Sequence, residues 1–203
     1  MDILEELGPD IDREKWTLAK AIAIARLAFF RALGKGPVAH LEHAGLFLDE
    51  LEKYERGAPS LLKKHRDGKA GVASFDFDKT LALKDGKDVD DLFLPMIKKL
   101  IDSGFSVMVL SNKVYDVHTR ARYDRLVSLG VHIVTHIPAK PCGGAFERLI
   151  EMAAAARKTE VAPEELVHVG DNFFTDGGCL LLGIDFVQVQ DVTQERLKAW
   201  REG

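Results

Sequence analysis

The stretch Gly71-Val72-Ala73-Ser74-Phe75-Asp76-Phe77-Asp78-Lys79-Thr80-Leu81 decides how this chain is read. It opens as a short apolar run and breaks into two acids, a lysine and a hydroxyl. An apolar run of that length, bounded by polar residues, reads as a buried strand. Four more runs of the same kind follow at residues 106–110, 131–135, 166–169 and 186–189. Amphipathic stretches at 89–103, 115–129 and 146–157 separate them, with a shorter helix expected at 175–182. Strand and helix alternating at these intervals predict an α/β fold: an open, mainly parallel sheet, helices on both faces, crossovers right-handed.

Upstream of Gly71 the pattern is different. Asp10 and Asp12 are helix-start residues, and residues 16–33 are rich in Ala, Leu and Ile until Gly34-Lys35-Gly36-Pro37 stops them. A second helix is expected over about 38–54, ended by Gly57-Ala58-Pro59, and a short third piece over 60–65. The chain therefore divides into an N-terminal helical region, 1–70, and an α/β domain, 71–203. The first is expected to act as a lid, a packing element or a dimerisation element.

Composition narrows the function classes. The 203 residues are 46% hydrophobic and 30% charged, the balance of a soluble globular protein. Residues 1–70 carry as many bases as acids, so the net charge of −4 falls on 71–203. Neither part is a basic surface made to hold nucleic acid or anionic lipid. The two cysteines, Cys142 and Cys179, form no CxxC, and a reducing, cytoplasmic setting is expected. No uncharged span of about 18 residues suggests a membrane crossing, and the acidic first ten residues lack a signal-peptide layout. The basic residues and aromatics of the first helix could describe a membrane-surface helix. Its apolar positions wrap almost the whole helix, which favours packing on the α/β domain or on a second copy.

In an open parallel sheet, chemistry belongs at the C-terminal ends of the strands. The first run exits into Asp76, Asp78, Lys79 and Thr80; the second into Ser111, Asn112 and Lys113. The third leads on to Lys140 and Pro141, and the fourth to Gly170, Asp171, Asn172, Thr175 and Asp176. Four separate segments thus deliver carboxylates, an ammonium and hydroxyls to one sheet edge. Carboxylate oxygens with phosphate and water are the usual ligands of Mg²⁺. Lysine and hydroxyls bind phosphoryl oxygens. An Asp can be a nucleophile, and a second carboxyl two residues on can serve as acid and base, on the same side if the extended geometry persists.

Phe75-Asp76-Phe77-Asp78-Lys79-Thr80-Leu81 resembles the DxDxT signature of the haloacid dehalogenase (HAD) superfamily. Val109-Leu110-Ser111-Asn112 is similar to its second motif, Lys140-Pro141 to its third, and Gly170-Asp171-Asn172-Phe173-Phe174-Thr175-Asp176 to its fourth, the GDxxxxD form. The resemblance runs in the family's order over about 71–190. It implies a Rossmann-like, doubly wound sheet and a Mg²⁺-dependent phosphatase acting through an aspartyl-phosphate. It further implies Asp76 as nucleophile and Asp78 as general acid and base. Thr80, Ser111 and Asn112 would bind the phosphoryl group with Lys140, which also neutralises charge around Asp76. Mg²⁺ would be held by Asp76, Asp171 and the backbone carbonyl of Asp78, with Asp176 in support. Lys79 departs from the glycine common at its position. The finer details are similar to the capless branch containing phosphatidylglycerophosphate phosphatases. In keeping with that, neither 80–89 nor 111–140 leaves room for an inserted cap, so an open site and a bulky phosphorylated substrate are expected.

Other features read as structural. His40 and His43 are three apart on a helix but have no acidic partner segment, and His132, His136 and His168 lie in or beside strands, where packing roles are expected. Cys142 and Cys179 read as small packed side chains. Three alternatives stay open: a phosphatase for nucleic-acid ends, which would want a basic groove; a non-catalytic phosphate-binding or scaffold protein; and a phosphotransferase, which would want a lid.

Overall fold

A computed structural model of the protein describes residues 71–82, 88–91, 93–112, 120–135 and 137–189, together with Arg56 and Lys64. The expected helices of residues 1–55 lie outside the described residues. The described elements, in chain order, begin with β1 (Val72–Phe75), α1 (Phe93–Asp102) and β2 (Ser106–Leu110). A 3-10 turn (Arg120–Arg122), α2 (Asp124–Ser128), β3 (His132–Val134) and α3 (Gly143–Arg157) follow. A 3-10 turn (Pro163–Glu165), β4 (Leu166–Gly170), a longer 3-10 segment (Asp176–Leu182) and β5 (Asp185–Gln188) complete the fold.

The five strands form one sheet in the order β3-β2-β1-β4-β5, and every neighbouring pair is parallel. This is the doubly wound α/β arrangement expected from the alternation of runs. Alternate strand residues feed two separate cores. On one face Ala73, Phe75, Val107, Val109, Val167, Val169 and Val187 pack with Phe93, Met96, Ile97 and Leu100 of α1 and with Leu126 of α2. On the other, Val72, Met108, Leu110, Leu166 and Phe186 pack with Ala145, Phe146, Leu149 and Ala153 of α3 and with the 3-10 segment. The chain changes direction across the sheet between β1 and β4 and changes face with it, as crossovers of one hand require. The C-terminal ends of β1 and β4 therefore flank the switch point, where ligands bind in such sheets.

Four helical expectations are corrected. Over 115–129 the described part, from Arg120, is a 3-10 turn followed by a five-residue helix, not one continuous helix. The segment expected as a short α-helix from Thr175 is 3-10, consistent with Gly177 and Gly178 following Asp176 and lowering α-propensity. The helix expected from residue 89 begins at Phe93, and α3 begins at Gly143 rather than 146. Among the described residues no helix is long and apolar enough to cross a membrane. One contact reaches back toward the N-terminus: Lys64 Nζ donates to Asp185 Oδ2 at 2.7 Å, an exposed ammonium on a buried carboxylate at the start of β5.

Candidate active site

Asp76 continues directly from β1, and its N–H donates to the Val169 carbonyl at 2.8 Å, so the ladder with β4 carries one residue past the strand. The extended geometry then ends at Phe77. The N–H groups of Thr80, Leu81 and Ala82 all turn back on the Phe77 carbonyl, and Lys79 sits at φ 63°. That is the left-handed region a glycine enters freely and a side chain enters at a cost of roughly 1–2 kcal/mol. Lys79 therefore holds a backbone conformation that a glycine would take without strain. The Asp78 carboxylate takes a 2.5 Å bond from Arg122 Nη2, and the Arg122 guanidinium lies 4.7 Å from the centre of the Phe77 ring.

Lys140 is the hub of the site. It is 2% exposed, and its Nζ donates at 2.5 Å to Asp76 Oδ1 and at 2.5 Å to Asp176 Oδ1. Burial alone would lower its affinity for a proton, but Asp176 and Asp76 together hold it above the ordinary lysine value. Asn112 seats the same loop: its Oδ1 accepts the Lys140 N–H at 2.9 Å. That bond uses the side-chain oxygen and leaves the Nδ2 donors of Asn112 for the expected phosphoryl contact.

Oxygens of Asp76, Asp171 and Asp176 lie within 4.8 Å of one another. Burial pushes Asp76 up to about 6, with Asp176 adding to the rise against the pull of Lys140. Asp171, half-buried, is also raised, first by burial and then by Asp176. Asp176 goes the other way. Burial works against its charge, but Lys140 and His168 outweigh burial and hold its carboxyl below the ordinary range. Its Oδ2 accepts the Asn172 N–H at 3.1 Å. Three carboxylates around one ammonium leave a surplus of negative charge lined by hard oxygens, the donor set that suits Mg²⁺.

Glycines make this packing feasible. A Cβ on Gly170 would fall 2.3 Å from Asp176 Cγ, and one on Gly178 would fall 2.5 Å from the Pro141 carbonyl oxygen. The first lets Asp176 fold back under β4; the second lets the Lys140-Pro141 loop lie on the 3-10 segment.

The remaining expected residues also reach this edge. Thr80 is buried, and its Oγ1 has no hydrogen-bond partner among the described residues. Ser111 is buried at the exit of β2, beside Tyr123, whose phenol is raised by burial, with the Ser111 hydroxyl opposing that rise.

A connection the sequence did not reveal lies on the α3 face. His168, in the middle of β4, is wholly buried, and burial lowers its proton affinity. Its Nδ1 is 2.7 Å from Ser74 Oγ, and its Nε2 is 3.6 Å from Asp176 Oδ1. A histidine inside an apolar run reads as packing; only the register of β1 beside β4, Ser74 opposite His168, exposes the pairing.

No protein-family model and no curated protein matches the chain. Among solved structures it is similar to YfnB from Bacillus subtilis, a candidate HAD-hydrolase bound to magnesium, at 20% identity and TM-score 0.40, over 88% of this chain and 84% of that one. It is also similar to an uncharacterized protein from Listeria monocytogenes serotype 4b, at 19% identity and TM-score 0.39, over 59% of this chain and 82% of that one. At these scores neither likeness carries weight; the strand order and the side-chain geometry do.

Proposed function

We propose that the chain is a Mg²⁺-dependent phosphomonoester hydrolase of the HAD type, working through an aspartyl-phosphate on Asp76. The observation that carries this reading is the Lys140 ammonium held at 2.5 Å from both Asp76 and Asp176, in a cluster that Asp171 completes. A structural ion pair would need one acid for one base. Here there is a surplus of carboxylate at the switch point, and the hydroxyl of Thr80 lies buried without a hydrogen-bond partner among the described residues.

In this reading an Asp76 oxygen attacks phosphorus, and the ester oxygen departs with a proton from Asp78. Water then attacks the phosphorus of the aspartyl-phosphate, giving its proton to Asp78; phosphate leaves and Asp76 is a carboxylate again. Lys140, Thr80 and Ser111 bind the phosphoryl oxygens, and Asn172, through its N–H, steadies Asp176. Asp76, Asp171 and the Asp78 carbonyl would hold Mg²⁺, with Asp176 in support, and the bound ion supplies the positive charge that lets an anionic nucleophile meet an anionic ester.

The short spacings after Thr80 and Ser111 favour the capless branch similar to phosphatidylglycerophosphate phosphatases, and with it an open site for a bulky phosphorylated substrate. Residues 1–70 would serve as lid, packing element or dimer contact, and the protein would work in the cytoplasm. The test is hydrolysis of p-nitrophenyl phosphate with Mg²⁺. Activity is expected to vanish with EDTA and return with added Mg²⁺; activity indifferent to chelation would refute the metal role.

A further inference from the structure

We infer that Ser74 and His168 are a positioning pair: His168 turns an Nε2–H toward Asp176, Ser74 holds the ring in that pose through Nδ1, and Asp176 so placed seats Lys140. Neither residue belongs to the cluster of Asp76, Asp171 and Asp176. They reach the site from the α3 face through two adjacent strands, in which Ser74 and His168 are register partners.

The geometry decides the direction of each hydrogen. Asp176 Oδ1 takes the Lys140 ammonium at 2.5 Å and faces His168 Nε2 at 3.6 Å. A lone pair on Nε2 would confront that carboxylate, so Nε2 carries the hydrogen. A neutral ring then offers Nδ1 as an acceptor, and the Ser74 hydroxyl, 2.7 Å away, donates to it. The ring is hemmed by Phe146 at 5.4 Å and Phe186 at 6.4 Å between centroids, which opposes turning it over. Nε2 is buried and makes no hydrogen bond among the described residues, and the Asp176 carboxylate at 3.6 Å is the acceptor it faces. The Asn172 N–H occupies the second Asp176 oxygen. Asp176 thus takes hydrogen bonds from Lys140 and from the Asn172 N–H, with the His168 Nε2–H facing Oδ1 at 3.6 Å, and Lys140 takes its place from it.

The effect on rate rests on the proposed hydrolase; the tautomer does not. A two-bond ¹H–¹⁵N NMR spectrum of the full chain, with His168 assigned through His168→Phe or by residue-specific labelling, is expected to show the neutral Nε2–H form. In Ser74→Ala the Nδ1 resonance is expected to shift as it loses its hydrogen-bond donor. An Nδ1–H tautomer in the unmodified protein would overturn the inference. With p-nitrophenyl phosphate, Ser74→Ala is expected to lower kcat by roughly 10–100-fold, the usual reach of residues that orient a first layer of site groups. KM should move little, and Ser74→Thr, which keeps the hydroxyl, should recover most of the rate. A folded Ser74→Ala with undiminished kcat overturns the positioning role while leaving the hydrolase intact. An unmodified protein with no phosphatase activity sinks the hydrolase, and the tautomer still decides the pair.

Discussion

The two faces of the central strands differ in what they bury. Under α1, strands β1, β2 and β4 present Ala73, Phe75, Val107, Val109, Val167 and Val169, all apolar. Under α3 the same strands present Val72, Met108, Leu110 and Leu166, but also Ser74 and His168, both fully buried. A buried hydroxyl and imidazole cost desolvation unless they are hydrogen-bonded, so their partners explain their presence. The α1 face holds the sheet together. The α3 face does that and also runs a polar path to the one edge where the carboxylates gather.

The contrast can be broken at either end. Asp76→Asn should cut hydrolysis by on the order of 10³-fold or more while leaving the melting temperature nearly unchanged; a variant that still turned over substrate would end the nucleophile assignment. Leu100→Ala, in the middle of the α1 face where Leu100 is wholly buried, should cost about 2–5 kcal/mol in urea unfolding. Turnover per folded molecule should stay the same; a rate loss would mean that this face also feeds the site.

Smaller effects sharpen the picture of the edge. Asp76 is raised to about 6 and Asp171 is raised as well, so protons compete with a cation as the pH falls through that value. Mg²⁺ affinity by calorimetry should be about tenfold weaker at pH 5 than at pH 7.5; a flat profile would take these two carboxylates out of the metal site. The smallest effect is at Lys79. Lys79→Gly relieves the left-handed strain but frees the unfolded chain, for a net gain of about 1 kcal/mol or less, read as a slightly raised unfolding midpoint. A clear loss of stability would give the Lys79 side chain a role of its own.

The sheet was legible because each strand is a compact apolar run with polar punctuation, and parallel strands buried on both faces leave that signature. The site edge was legible for the same reason: Asp76, Lys140 and Asp171 each follow such a run, and topology brings run ends together. What failed to show depends on turns and register. The partner of Asp78 was not legible because the extended path ends at Phe77 and Arg122 comes from a segment 44 residues later. The bond from the Lys140 N–H to Asn112 Oδ1, which joins two strand exits, has no signal in the sequence. His168 has no local signal at all, since its partners are 94 residues earlier and eight residues later in the chain. The 3-10 segment 176–182 carries two adjacent glycines, and the Pro141 backbone that Gly178 packs against is remote in the chain.

The Lys64 contact bears on how the N-terminal third should be studied. Asp185 is a carboxylate sunk at the foot of β5, and an ammonium supplied from before Gly71 sits on it. A shortened chain starting at residue 71 would strip away that counter-charge, and an edge strand would bear the consequence. Inactivity after such trimming would then report a loosened β5 rather than a missing substrate contact, so Lys64→Met in the intact chain is the control that separates the two.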